Sequence, residues 1–176
     1  IPDDLDAVLQ KGIDGVVIPK VNNVSELKKI EKNMSKIEKA RKLKSIQIIP
    51  SIESAEGVVN TYNISSSSKR VSAVVFGIFD LLNDLGVEYT KDPEGGKYSR
   101  TKIPVDAKAA DVASIDAIWQ DLKDLDGLEN DCIAGKNLGY SGKSIIHPDQ
   151  INTVHKIFYP NQAEIHPSNL EVRHQT

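Results

Sequence analysis

The feature that most constrains this chain is an alternation. Short β-branched apolar runs are separated by longer segments whose apolar residues recur at helical spacing. The runs are Gly15–Pro19 (GVVIP), Ile46–Glu53 (IQIIPSIE), Ser72–Gly77 (SAVVFG), Ser114–Trp119 (SIDAIW) and Gly142–His147 (GKSIIH). Each is bounded by turn-forming or polar residues and reads as a strand buried on both faces. Between the first two runs, Leu27, Ile30, Met34 and Ile37 are spaced 3, 4 and 3 apart, which predicts a helix with Ser25 as its N-cap and its lysines (28, 29, 32, 36 and 39) on a solvated face. Further helices are predicted over 54–68, opened by Ser54, over 81–85, over 100–112 with Pro104 in the first turn, over 124–138, ended by Gly139, and over 148–158 with Pro148 at its first position. The stretch 86–98, containing DPEGG, is predicted to be a loop of the length that serves a site or a lid.

Five β-α units in series imply a parallel sheet with helices packed outside it. Two architectures satisfy this: an open doubly wound sheet, or part of a (β/α)₈ TIM barrel. No strand is followed by GxGxxG or GxxxxGK[ST], which weighs against the nucleotide-binding folds. Polar residues stand after the strands instead, at Lys20, Glu53, Asp80, Gln120 and His147, and the C-terminal strand ends are where a (β/α)₈ barrel builds its site.

Composition excludes several classes. The 176 residues carry 22 Lys+Arg against 25 Asp+Glu, a net charge of −3, so there is no electrostatic case for nucleic-acid binding. With 39% hydrophobic residues the chain is too apolar for intrinsic disorder. No run approaches the ~18 apolar residues of a membrane span. A single cysteine, Cys132, rules out an internal disulfide and a cysteine-based zinc cluster, and is read as a small buried helical residue.

Glu53 and Asp80 are the sharpest candidates for chemistry. Each follows an apolar strand, and consecutive strands of a barrel lie side by side about 4.8 Å apart. Two carboxylates converging on one point repel unless a cation lies between them, and hard oxygen ligands completed by water and substrate suit Mg²⁺. With no paired His or Cys nearby, zinc is disfavoured. Capping of the following helices accounts for the same two residues equally well. Lys20, at the end of the first strand, either holds a substrate carboxylate or phosphate or is a solvated lysine. His147 is read as an orienting or packed residue ahead of a helix rather than a general base, and His155, His166 and His174 as surface. Asp121 and Asp124 are expected to favour a helix N-terminus.

Six segments in order carry a resemblance: IPKV (18–21), IPSIESAEGVVNTYNI (49–64), VVFGIFDLLNDLG (74–86), YSRTKI (98–103), SIDAIWQDLKDLDGL (114–128) and GYSGKSIIHPDQI (139–151). Together they resemble the citrate lyase beta-subunit family of the HpcH/HpaI aldolase superfamily. That resemblance implies a Mg²⁺-dependent (β/α)₈ barrel that cleaves a 3-hydroxyacyl thioester, of the citryl-, malyl- or citramalyl-CoA type, into a ketoacid and an acyl thioester. It implies that Glu53 and Asp80 are the metal ligands, that Arg100 organises the long loop or approaches a thioester carrier, and that Asp116 hydrogen-bonds at the barrel end; with these, Lys20 and Asp80 are expected to be catalytic, and Lys20, Gly77 and Asp80 to contact substrate. Two positions depart from the family pattern. Phe79 stands where relatives carry an acidic residue and is expected to point toward the helix layer, and Asn22 stands where relatives carry Glu after PKV.

By the same resemblance the first strand here corresponds to the family's fourth, so residues 1–160 are expected to form a partial barrel of about five C-terminal β-α units. Residues 161–176 are expected to be a polar connection. A start at Ile rather than Met agrees with a truncated chain, poorly soluble or partly molten and weakly active by itself, whose upstream part would carry an R-x-N strand. The expected partner is a hydroxyacyl thioester, as free CoA or on an acyl carrier, with a homo-oligomer when full length and a cytoplasmic location, or else the mitochondrial matrix. Two other readings stand beside the lyase: a catalytically inert binding or assembly subunit, and a pyruvate-type ketoacid aldolase that uses no CoA.

Overall fold

The computed structural model describes residues 2–90 and 93–159, so the polar segment 161–176, His166 and His174 lie outside the described residues. In chain order the elements are α1 (Pro2–Val8), β1 (Gly15–Ile18), α2 (Val24–Arg41), β2 (Gln47–Ile52), α3 (Ala55–Val59), α4 (Thr61–Ser66), β3 (Ala73–Phe76), α5 (Ile78–Leu85), α6 (Glu94–Ala109), β4 (Ala113–Asp116), α7 (Leu125–Leu138), β5 (Gly142–Lys143) and α8 (Ile151–Phe158). A 3₁₀ turn at Pro148–Gln150 leads into α8. The strands form one sheet in the order β1-β2-β3-β4-β5, and every pair is parallel. Strands laid down in sequence order with helical crossovers are the pattern of a (β/α)₈ barrel, and five of them make an incomplete one.

The two faces of this sheet differ, which corrects the expectation that both are buried. Ile18, Ile48, Ile52, Val74 and Phe76 face the helices and are buried with Leu27, Met34, Ile64, Leu81 and Ile103 in a single core. The alternate residues Val17, Ile49, Val75 and Ile115 share the other face and are exposed or only half-buried, Val17 at 56% exposure. A parallel strand read by composition alone does not reveal that one side lacks cover among the described residues. The lysines of α2 all lie exposed, as its spacing predicts.

Helix boundaries shift where local chemistry overrides the pattern. Asn23, not Ser25, caps α2, its side chain accepting the Glu26 N–H from an extended backbone. Ser54 caps α3 as expected, but the predicted helix over 54–68 breaks at Asn60 into α3 and α4. The expected turn at 81–85 is the end of an eight-residue helix that begins at Ile78. Phe79 therefore sits on a helix rather than a strand, packed on Tyr89 with ring centroids 4.5 Å apart. The fifth strand is only Gly142–Lys143 and the fourth ends at Asp116, so Gln120 and His147 lie four residues past their strands rather than at the strand ends. His147 accepts the Asp149 N–H at 3.2 Å, a helix-entry role.

Helix α6 starts at Glu94 and not at Arg100, which places Pro104 inside the helix. A proline there has no N–H for the carbonyl of residue 100. The hydroxyl of buried Tyr140 donates to that carbonyl at 3.0 Å and replaces the missing bond. Burial also drives the Tyr140 phenol far above its ordinary value, so it stays a donor across the working pH range. At the entrances of β2 and β3, buried Glu38 of α2 pairs with Arg70 and accepts the Ile46 N–H at 2.9 Å, tying α2 to both strands.

Tyr140→Phe is expected to destabilise the fold by about 1–3 kcal/mol, because it leaves a carbonyl without a partner. In a Pro104→Ala background, where residue 104 regains its N–H, the same change is expected to cost distinctly less. A double-mutant cycle by urea denaturation measures the difference.

Candidate active site

Glu53 is the first residue beyond β2, and the parallel pairing of Ser51 with Val75 and Ile52 with Phe76 carries it opposite Gly77, the first residue beyond β3. The Gly77 N–H continues the ladder to the Ile52 carbonyl at 3.0 Å. The Glu53 side chain then lies across Gly77. A Cβ on residue 77 would sit 2.6 Å from both the Cβ and Oε2 of Glu53, so only glycine leaves that space. The carboxylate is held from two sides: the Lys20 N–H donates to Oε1 at 2.6 Å and the Ser51 hydroxyl to Oε2 at 3.1 Å.

Asp80 belongs to the first turn of α5, one helical turn beyond Gly77, where the helix dipole favours a negative charge. It is exposed and makes no hydrogen bond or ion pair among the described residues. The Ala55 N–H donates to Asp84 Oδ2 at 2.8 Å, strapping the start of α3 to α5 and so the Glu53 corner to the helix that bears Asp80. Lys20 is exposed at the end of β1, and its ammonium group likewise has no partner among the described residues. The predicted residues Lys20, Glu53, Gly77 and Asp80 thus gather at the C-terminal ends of β1, β2 and β3. Asn22, no ligand candidate, accepts the Ser54 hydroxyl at 2.5 Å.

The donor chemistry fits a hard divalent cation. Both acids present oxygen only, Glu53 receives neutral donors, and Gly77 keeps open the space in which its carboxylate lies. Among the described residues no cluster of three or more His, Cys, Asp or Glu exists, so two protein carboxylates would be completed by water and substrate oxygens.

A second charged constellation lies under the helices beside β4 and β5. Asp116, fully buried, accepts Arg100 at 3.1 and 2.5 Å and Lys143 Nζ at 3.1 Å. Asp131 of α7 pairs with both cations, at 2.8 Å from Arg100 and 2.5 Å from Lys143. Two cations and two anions neutralise one another, and the carboxylates hold the Arg100 guanidinium charged far beyond its ordinary range despite burial. A Cβ on Gly135 would meet Asp116 Oδ2 at 2.6 Å, so α7 approaches through a glycine. Arg100 and Lys143 line a small cleft together with Phe76, Ile78, Tyr89 and Trp119. Neither Glu53 nor Asp80 lines it. The sequence reading assigned Asp116 a hydrogen-bonding role, which the structure bears out, but missed Lys143 and Asp131. Ser51 was also missed, although strand alternation places it on the same face as Glu53.

Lys143→Met is expected to destabilise the fold by about 3–5 kcal/mol, because it leaves Arg100 alone to balance the Asp116 and Asp131 carboxylates, and denaturant unfolding measures this. Cys132, in the same layer, has its thiol pushed up by burial to about 11. It therefore stays protonated near neutral pH, and its stabilising contribution is whole below the ordinary thiol range and lost as pH rises toward 11. Native protein at pH 8 is expected to react with a thiol reagent only at its unfolding rate, whereas denatured protein reacts at once.

Comparison with known proteins agrees with this architecture. The family model for HpcH/HpaI aldolase/citrate lyase matches residues 1–148. A (3S)-malyl-CoA thioesterase of Cereibacter sphaeroides is 28% identical over 96% of this chain and 56% of its own length, so the chain spans about half of that relative. A mitochondrial citramalyl-CoA lyase of Rattus norvegicus is 38% identical over 54% of this chain and 28% of its own length. The solved citrate lyase beta subunit of M. tuberculosis, complexed with oxaloacetate and magnesium, superposes with a TM-score of 0.74 at 23% identity, covering 90% of this chain and 67% of that one. With that family model matched over residues 1–148, the chain belongs to the HpcH/HpaI aldolase/citrate lyase family.

Proposed function

We propose that these residues form the metal-binding part of a Mg²⁺-dependent carbon–carbon lyase acting on a 3-hydroxyacyl thioester of the citryl-, malyl- or citramalyl-CoA type. The observation that carries this reading is the Glu53 carboxylate, fixed over Gly77 at the strand ends with the unpaired Asp80 one turn along the next helix. Membership of a family whose relatives are named for malyl-CoA and citramalyl-CoA supports it, as does a similar fold solved with oxaloacetate and magnesium.

Glu53 and Asp80 would hold the cation, their charges balanced by it rather than by protein cations. Bound there, Mg²⁺ supplies Lewis acidity and a template for the hydroxyl and carboxylate oxygens of the substrate. The Lys20 ammonium, free among the described residues at the same edge, suits a substrate carboxylate. Gly77, whose side-chain space is taken by Glu53, would meet substrate only through its main chain. Asp80 would serve both as a metal ligand and as a catalytic carboxylate. The acyl portion would be carried by CoA or an acyl carrier, and the assembled protein would be a homo-oligomer in the cytoplasm or the mitochondrial matrix. Among the described residues no helix is long and apolar enough to cross a membrane.

Hydrolysis of the thioester is a second reading, favoured by the name of the Cereibacter relative. Product analysis separates the two: cleavage yields a ketoacid and an intact acyl thioester, whereas hydrolysis yields a hydroxyacid and a free thiol.

Calorimetric titration with Mg²⁺ and a ketoacid is expected to show binding that Asp80→Ala abolishes and Glu53→Gln weakens by about tenfold or more. In the full-length protein Glu53→Gln is expected to lower turnover by orders of magnitude with the fold intact. Unchanged metal binding in both variants would remove the assignment.

A further inference from the structure

Three non-glycine residues have a positive φ among the described residues: Lys20 at 49°, Lys42 at 53° and Asp111 at 56°. Lys42 and Asp111 follow α2 and α6, where a left-handed residue is a usual way to end a helix. Lys20 follows a strand, so no helix end accounts for its left-handed turn, which a side-chain-bearing residue adopts only when its surroundings require it. The surroundings are specific. The turn directs the Lys20 N–H at Glu53 Oε1, 2.6 Å away, and the very next N–H, of Val21, rejoins β2 at the Ser51 carbonyl at 3.2 Å. The Asn22 carbonyl accepts Asn60 Nδ2 at 3.0 Å, pinning the far side of the turn to the α3–α4 junction. With Ser51 donating to Oε2 and Gly77 beneath, the carboxylate has one donor at each oxygen and a flat floor.

We propose that the main chain of Lys20, rather than its ammonium group, is a positioning element for Glu53. Its left-handed turn fixes the orientation in which the carboxylate meets a divalent cation, a role that rests on the metal reading above. The side chain is then free to meet substrate, and residue 20 acts twice through separate groups.

The test is Mn²⁺ titration followed by electron paramagnetic resonance on the protein carrying Lys20→Gly, Lys20→Ala, or an amide-to-ester replacement at residue 20 that removes only the N–H. Glycine and alanine are expected to keep Mn²⁺ affinity close to that of the parent, while the ester weakens it by about tenfold with little change in melting temperature. An ester that binds Mn²⁺ as Lys20→Ala does, or a Lys20→Gly that loses as much as the ester, overturns the proposal. Absence of Mn²⁺ binding in the parent, or binding indifferent to Glu53→Gln, counts instead against the metal reading. In that event the amide proton resonance of Lys20 decides the positioning role: an upfield move in Glu53→Ala supports it, and an unmoved resonance overturns it.

Discussion

The parallel pairing of β2 with β3 is the contact on which the rest of the site depends. Parallel strands leave the sheet at the same edge, so the residues that follow them are neighbours without any further device. Ser51 opposite Val75 and Ile52 opposite Phe76 bring Glu53 beside Gly77 at the next step of the register. A slip of one residue would turn Glu53 toward the helix layer and expose Ile52, so the apolar pattern of β2 protects the position of its acid. The glycine follows from the same geometry, because the carboxylate occupies the place of a side chain at 77.

The molecule handles charge in two opposite ways. Under α6 and α7, Arg100, Lys143, Asp116 and Asp131 form a closed set whose charges cancel. Such a set ties two helices to two strands, with each buried charge compensated inside the protein. At the strand ends, Glu53 receives only neutral donors and Asp80 receives none among the described residues. Two acids that no protein cation pairs with among the described residues repel one another, and a small multivalent ion between them would relieve this. The contrast separates carboxylates neutralised inside the protein from carboxylates that no protein cation pairs with among the described residues.

The order and type of the elements were legible because apolar runs and helical spacing follow directly from burial. The strand positions, the helical face of α2 and the cap at Ser54 were all readable in this way. Boundaries were less so. Pro104 argued for a helix starting near Arg100, and only the distant Tyr140 hydroxyl makes the earlier start possible. Ser25 was a sound cap on composition, yet Asn23 reaches the helix first with the right backbone. Glu53 and Gly77 could be placed at strand ends from the sequence, whereas the left-handed turn at Lys20 and the Ser51 bond depend on contacts 33 and 2 residues away that no motif encodes. Lys143 was hidden because a lone lysine directly after Gly142 at the start of a short strand carries no pattern of its own, and only tertiary packing brings two acids to it.

The bond from Tyr140 to the Arg100 carbonyl spans 40 residues of chain. A helix is ordinarily a local object, complete once its own segment exists. Here α6 carries a gap in its hydrogen bonding that nothing within the helix can fill, and the group that fills it arrives only after β4 and α7 have emerged. On a ribosome, this helix would stay ajar at its middle until the turn beyond α7 is synthesised, which links the order of translation to the order in which the two halves of the sheet can lock.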